Sequence, residues 1–513
     1  MTHKNIKFTR RQVIEMGAGF AGVFAASAPT FATPTSTDNK LSTKYPKVPE
    51  WLTYLGKSEV GGRNYQPQIE GKVPNGLHGS LYRNGPGLFE RGNDRKAHML
   101  DGDGLIQRLS FSEAGVRYRN EFVQTPKFLK EQTAGKLLSA TWTTRAPGGI
   151  LKNAGGHSIE VQAGVTVYPV GDKVYALDEG NPIFELNPET LATKGATKLG
   201  GENAPGGIKA HTKFDPVTGE WLAIGASMGR TMTLHTISYK ANGQLNYIHN
   251  FASPRQCYIH DFFITESYFI FLLHPLELQV MKFLAGTHSF TDSLTWKGEK
   301  ANIIALCPRA GGHAKFIEAP SSFMWHSLNA YEEKGKIIAD FSSFDEPDHF
   351  VGEDAFMYNF MQGYMGKIDH KGKARRYIID VQSGTAKEDI ISDGNYEFAM
   401  ADPRVYGRKH RYGYFASGGL SDLTTGISRI DYSTMDIQHF DFATPAHTGE
   451  PVIIPKPNGK VDDCWIITQC LDSKSMRTFF AIFDAAHIRD GPLAKIWLSH
   501  HVPISFHGAW KSA

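Results

Sequence analysis

From about residue 47 to the C-terminus, short runs of β-branched and aromatic residues alternate with turn-forming clusters. Examples are Leu105–Phe111 (LIQRLSF), Val116–Val123 (VRYRNEFV), Lys173–Leu177 (KVYAL), Trp221–Met228 (WLAIGASM), Tyr268–Leu273 (YFIFLL), Lys336–Phe341 (KIIADF), Cys464–Leu471 (CWIITQCL) and Phe479–Asp484 (FFAIFD). Turn signals such as Asp215–Glu220 (DPVTGE) and Asn187–Thr190 (NPET) sit between them. Branched and aromatic side chains suit a pleated surface, while Gly, Pro, Asn and Asp suit the reversals. Many strands at short spacing, without a long helical period, predict a large all-β sandwich, barrel or propeller. No strict repeat runs along the chain, so a WD40 or kelch array is not indicated by motif. Phe271–Leu284 (FLLHPLELQVMKFL) stands apart as a long apolar stretch. It reads equally as a core strand running into a packed segment and as an exposed apolar entrance resting on a membrane face.

Residues 33–46 are polar, lack periodicity and read as a linker, leaving 47–513 as one domain. Residues 1–32 read as a signal peptide. Paired Arg10 and Arg11 precede an apolar Gly/Ala-rich run from Met16 to Ala28, and small residues follow at Thr30–Ala32. The run is too short to span a bilayer. The arginine pair resembles the twin-arginine type, which would deliver a folded, metal-loaded protein to the periplasm. A cytoplasmic or membrane-associated protein is the alternative.

Composition adds mostly exclusions. Among 513 residues, 41% are hydrophobic and 21% charged, as in an ordinary globular protein. A net charge of +3 and the lack of a basic run give no case for nucleic acid. The 52 Gly and 26 Pro are spread along the chain, which suits many short elements. None of the four cysteines (Cys257, Cys307, Cys464, Cys470) forms a CxxC pair, so a zinc knuckle is not expected. Export would allow a Cys464–Cys470 disulfide; free or buried thiols are the simpler reading.

Histidine changes the picture. With 21 in the chain, any one means little, but four have distinctive settings: His211 in KAHTKFDP, His260 in YIHDFFIT, His326 in FMWHSLNAY and His507 in ISFHGAW. Bulky apolar neighbours place each imidazole inside the fold. Buried imidazoles each need a partner, and one shared metal satisfies all four. They are 49, 66 and 181 residues apart, so only a fold returning repeatedly to one axis can gather them. A propeller does this, with an inner strand of each blade facing a central channel.

These contexts, in order, resemble the four iron-ligand blocks of the carotenoid cleavage oxygenases. Gly79–Gly87 (GSLYRNGPG) and Leu100–Leu105 (LDGDGL) match that family as well. The resemblance covers nearly all of the chain after the linker. It implies a seven-bladed β-propeller with a cap of loops and short helices over a central iron. It also implies Fe(2+) as cofactor, held by His211, His260, His326 and His507. Glu179, Glu397 and Glu450 match the family's supporting glutamates, which would serve His260, His326 and His507. A carboxylate on the far imidazole N–H fixes its tautomer and orientation. Four neutral ligands leave iron(II) its full charge and two open octahedral positions, one fewer than a two-His-one-carboxylate triad. The implied activity is cleavage of an alkene by O2 into two carbonyl products.

Substrate rests on two departures. Phenylpropanoid-cleaving relatives carry a phenol-reading Tyr and a Lys before the first supporting glutamate. Here the matching stretch is Ala140–Arg145, with Trp142, and Asp178 precedes Glu179. An apolar polyene, a carotenoid or apocarotenoid, is therefore expected over a phenolic stilbene. Thr166 is shifted by one residue from a threonine common in relatives and receives no role. Asp101-Gly102-Asp103-Gly104 lacks the EF-hand pattern and reads as a turn. An isomerase on the same site and a propeller with a vestigial metal are the remaining alternatives.

Overall fold

The computed structural model describes residues 44–155, 159–180, 182–199 and 208–513. The signal peptide expected at 1–32, and all but the last three residues of the linker expected at 33–46, lie outside the described residues. The chain is docked from Pro46 onward, whose carbonyl accepts from the Met365 N–H at 2.9 Å.

Among the described residues, seven antiparallel sheets of four or more strands succeed one another around an axis, giving a seven-bladed β-propeller. The ring closes by mixing its ends. The C-terminal strand His507–Ser512 pairs with Gly79–Asn84, and Gln68–Gly71 pairs with Ala494–Trp497. The termini thus lock two adjacent blades together.

Packing between blades explains why the strands read as continuous apolar runs. A blade is covered on both faces, so both alternate sets of side chains are buried. In Tyr268–Leu273, Phe269, Phe271 and Leu273 pack toward the preceding blade, while Ile270 and Leu272 pack toward the next. Seven such interblade cores ring the axis. An eighth core lies outside the ring, in a cap of loops and short helices that includes Leu52, Phe89, Tyr258, Phe323, Phe350 and Phe356.

Two pairs of alternatives left open by the sequence narrow here. Cys464 and Cys470 lie six residues apart on one strand, Cys464–Asp472, hence about 20 Å along it. No disulfide can join them, and all four cysteines are buried free thiols. Phe271–Leu284 is not one apolar surface. Phe271–Leu273 is fully buried strand, and only the short helix Val280–Leu284 presents a large apolar side chain outward, at Met281.

Candidate metal centre

The four histidines come from four separate returns to the axis, with two further blades between His326 and His507. His211 lies within the inner strand Ile208–Phe214. His260 lies three residues before the inner strand Phe263–Ile264, His326 immediately precedes the inner strand Ser327–Glu333, and His507 opens the last strand. One ligand atom from each lies within 4.8 Å of all the others, and all four residues are buried. The Nε2 atoms of His211 and His260 are 3.0 Å apart, those of His326 and His507 3.3 Å.

Inner-strand irregularities aim these groups. The ladders shift register between Ile208 and Thr212, between Ser327 and Asn329, and between Glu397 and Met400. A bulge bends the strand and redirects a side chain that a regular ladder would point elsewhere. Phe398, beside Glu397, takes φ +51°, an unfavourable angle for a bulky residue, and its ring stacks on His326 at 4.9 Å.

All three expected glutamates reach the expected histidines. The imidazole Nδ1 of His260 donates to Glu179 Oε1 at 2.5 Å and that of His507 to Glu450 Oε1 at 2.9 Å. His326 Nδ1 makes a short hydrogen bond to Glu397. Each carboxylate has a second anchor: Lys209 on Glu179, Ser342 and the Phe398 N–H on Glu397, and the Gly508 N–H on Glu450. His211 has no such support; its Nδ1 stands 3.8 Å from Asp261.

With Nδ1 as donor, three Nε2 lone pairs point inward, where a fourth imidazole joins them. Converging lone pairs without a donor repel unless a cation sits among them, so this set suits a metal ion. Burial and the neighbouring imidazoles push the His211 pKa well down, and burial brings His507 to about 4. Burial opposes ionisation of Glu397 and Glu450, but the histidine partners and backbone N–H groups outweigh it and hold both below the usual carboxylate range.

Arg83 and Asn84, in the GSLYRNGPG stretch, explain that motif physically. The fully buried Arg83 guanidinium donates to the Glu450 carbonyl at 3.0 Å and to the carbonyls of Ser505 and Phe506. It therefore ties the loop bearing Glu450 to the segment bearing His507. Asn84 Nδ2 donates to the carbonyls of Ala163 and Thr166, and Thr166 Oγ1 bonds the Ala210 carbonyl beside His211. Asp103 pairs with Lys127 at 2.5 Å and Arg91 at 3.0 Å, so LDGDGL is an ion-paired turn rather than a calcium loop.

Cavities open on both sides of the histidines. On the cap side, Leu100, Trp142, Tyr258, Phe290, Trp325 and Phe506 are among the walls of a largely apolar space that reaches His260, His326 and His507. On the opposite side a more polar channel reaches His211, with Lys213, Asp261, Tyr168 and Tyr406 on its wall. Tyr258, Trp325 and Phe506 were legible only as bulky neighbours of ligands; that they also wall a cavity was not. Asp178 lines the apolar cavity too, but its carboxyl accepts from the N–H groups of Gln162, Ala163 and Glu179 at 2.8–3.1 Å. It holds the loop rather than facing a ligand as a free charge.

The retinal pigment epithelial membrane protein family model matches residues 58–512. The chain belongs to the carotenoid cleavage oxygenase family. It is 31% identical over 489 residues to an apocarotenoid-15,15'-oxygenase of Synechocystis, covering 90% of this chain and 98% of that protein. It is 24% identical to a resveratrol cleavage oxygenase of Aspergillus fumigatus, covering 92% and 97%. A solved structure of the cobalt-substituted Synechocystis apocarotenoid oxygenase aligns with a TM-score of 0.85 at 29% identity, covering 91% of this chain and 99% of that one. Family membership makes this protein an alkene-cleaving oxygenase.

Proposed function

We propose that His211, His260, His326 and His507 bind iron(II), and that the enzyme uses O2 to cleave a double bond of an apocarotenoid or carotenoid into two carbonyl products. The observation that carries this reading is four convergent imidazoles, three of them held by glutamates, at the end of an aromatic-walled cavity. Bound there, iron(II) supplies the activation of O2 that alkene cleavage requires. Glu179, Glu397 and Glu450 lock three rings with Nε2 inward, and the aromatic wall holds a flat polyene and excludes water. The 31%-identical apocarotenoid oxygenase supports the substrate class. Iron-loaded protein incubated with a panel of apocarotenals under O2 should release shorter aldehydes. Turnover of hydroxystilbenes alone would move the assignment to phenolic alkenes, and no labelled oxygen in the product would move it to an isomerase.

Export and membrane contact are further proposals. The paired Arg10 and Arg11 ahead of an apolar run support twin-arginine export to the periplasm. A fusion of residues 1–46 to a reporter, with Arg10→Lys and Arg11→Lys as control, tests it. Membrane contact falls on a smaller surface than Phe271–Leu284. Ile150, Leu151 and Met281 are exposed on two short helices, Gly149–Asn153 and Val280–Leu284, joined by a Gly155 N–H to Leu284 carbonyl bond of 2.8 Å. Lys152 and Lys282 lie beside them in sequence, and the nearby Phe290 and Thr291 line the cavity. Leu151→Ser with Met281→Ser should lower co-flotation with phospholipid vesicles; unchanged flotation would reject this contact.

A further inference from the structure

Most polar groups on the wall of the apolar cavity have their partners within the protein. Asp178 is taken by three backbone N–H groups, Glu179 and Glu397 by histidines, and Thr291 Oγ1 by the Trp142 carbonyl. The Trp142 indole N–H and the Asp422 carboxyl are the exceptions, and Asp422 is the acidic one. It lines the same cavity and is 8% exposed, yet its Oδ2 atom has no hydrogen-bond partner. The basic group facing it is His349, whose Nε2 stands 3.7 Å away, beyond hydrogen-bond reach. That nitrogen already accepts the Trp325 indole N–H at 2.7 Å, so in the neutral ring it carries no proton for Asp422. Burial brings the His349 pKa down to about 4, so the ring is neutral at ordinary pH.

The carboxyl is also placed by a built turn. Leu420 and Leu423 exchange backbone hydrogen bonds of 3.2 and 2.8 Å across Ser421 and Asp422. Ser421 takes φ +47°, a costly angle for a serine. Asn395 Nδ2 braces the turn through the Gly418 and Ser421 carbonyls at 2.6 and 2.7 Å, and Leu423 anchors it in the cap core. A strained, braced turn that buries an unpaired carboxyl costs stability, and such groups call for a partner the folded chain does not contain.

We propose that Asp422 is a specificity-determining residue that hydrogen-bonds an oxygen function of the substrate, the carbonyl or hydroxyl of an oxygenated polyene, and so sets how the chain lies along the cavity. This rests on the polyene reading above. Burial, with Glu397 and Asp348 nearby, drives the Asp422 pKa well up and favours the neutral acid. A neutral carboxylic acid donates to a carbonyl and accepts from a hydroxyl. A hydrocarbon end offers neither and leaves the buried carboxyl unpaired, a defect that sites built to bond a polar group reject strongly.

The test is binding to the metal-free full chain, read by quenching of tryptophan fluorescence. The probes are an apocarotenal and a hydrocarbon polyene of equal conjugated length. Wild type should prefer the aldehyde by roughly tenfold or more. Asp422→Leu should abolish the preference without weakening the hydrocarbon, while Asp422→Asn, which keeps a donor, should retain it. Melting temperature should hold or rise in Asp422→Leu, because an unpaired buried carboxyl is removed. Should that variant not fold, Asp422→Ala carries the same comparison. An undiminished aldehyde preference in the variant that folds overturns the proposal, as does equal weakening of both ligands. A preference lost as expected, with no polyene cleaved by iron-loaded wild type, supports the Asp422 contact and overturns the cleavage reading instead.

Discussion

At the residue scale, the candidate metal centre is a set of imidazoles, three of which are oriented at Nδ1, on the side of the ring away from the cluster. Glu450 holds His507 through one oxygen and the Gly508 N–H through the other. Glu450→Gln therefore presents an amide where a carboxylate accepts two N–H groups. Metal affinity should fall about 10- to 100-fold with the fold intact, as measured by metal competition against a chelator. His260→Ala removes a ligand outright and should abolish stoichiometric iron by elemental analysis; a variant that retained it would contradict the four-ligand assignment. Arg83→Met should lower both thermal stability and iron content. It strands the Glu450, Ser505 and Phe506 carbonyls without a donor in a buried site.

At the element scale, the loops that carry function are held by close backbone approach. Gly104, in the LDGDGL stretch, packs against the Ala163 carbonyl so tightly that a Cβ would fall 2.2 Å from its oxygen. Its N–H also bonds the Gln162 carbonyl at 3.0 Å. Gly104→Ala must therefore separate the blade holding Leu105–Phe111 from the Gln162–Ala163 loop that the Asp178 carboxyl holds. The expected cost is about 1–3 kcal/mol, seen as a lower denaturant midpoint with unchanged slope. That closeness, with the Asp103 ion pairs, makes LDGDGL a structural turn although its aspartate spacing looks like an ion-binding loop.

At the scale of the whole molecule, the ring of blades and its cap bury several imidazoles outside the four-histidine set. His98, His274, His349 and His447 are buried, and burial brings each pKa down to about 4, below the ordinary 6.5. A folded pKa below the unfolded one means the folded state binds fewer protons. The stability each group contributes is complete above pH about 6.5 and is lost as pH falls toward about 4. Melting temperature should decline across that window, and replacing His274 by Gln should make the decline shallower. The same ring keeps two unlike cavities apart, one largely apolar and one more polar, with the histidines between them.

The strands were legible because residues buried on two faces leave continuous apolar runs, as in Tyr268–Leu273, and turns announce themselves by Gly, Pro, Asn and Asp. The histidine set was legible because four buried imidazoles at wide spacing demand a common partner, and the family resemblance then named Glu179, Glu397 and Glu450. Phe271–Leu284 was not resolved, since one-dimensional apolarity does not separate a strand between blades from a helix on the surface. Asp178 and Asp422 show the limit most clearly. Both are aspartates in polar-looking turns, and nothing local marks one as bound by three N–H groups and the other as unpaired in a cavity. Local sequence determines which groups cannot face water. Only the tertiary structure, by fixing where each loop packs, decides which of them find partners inside the chain.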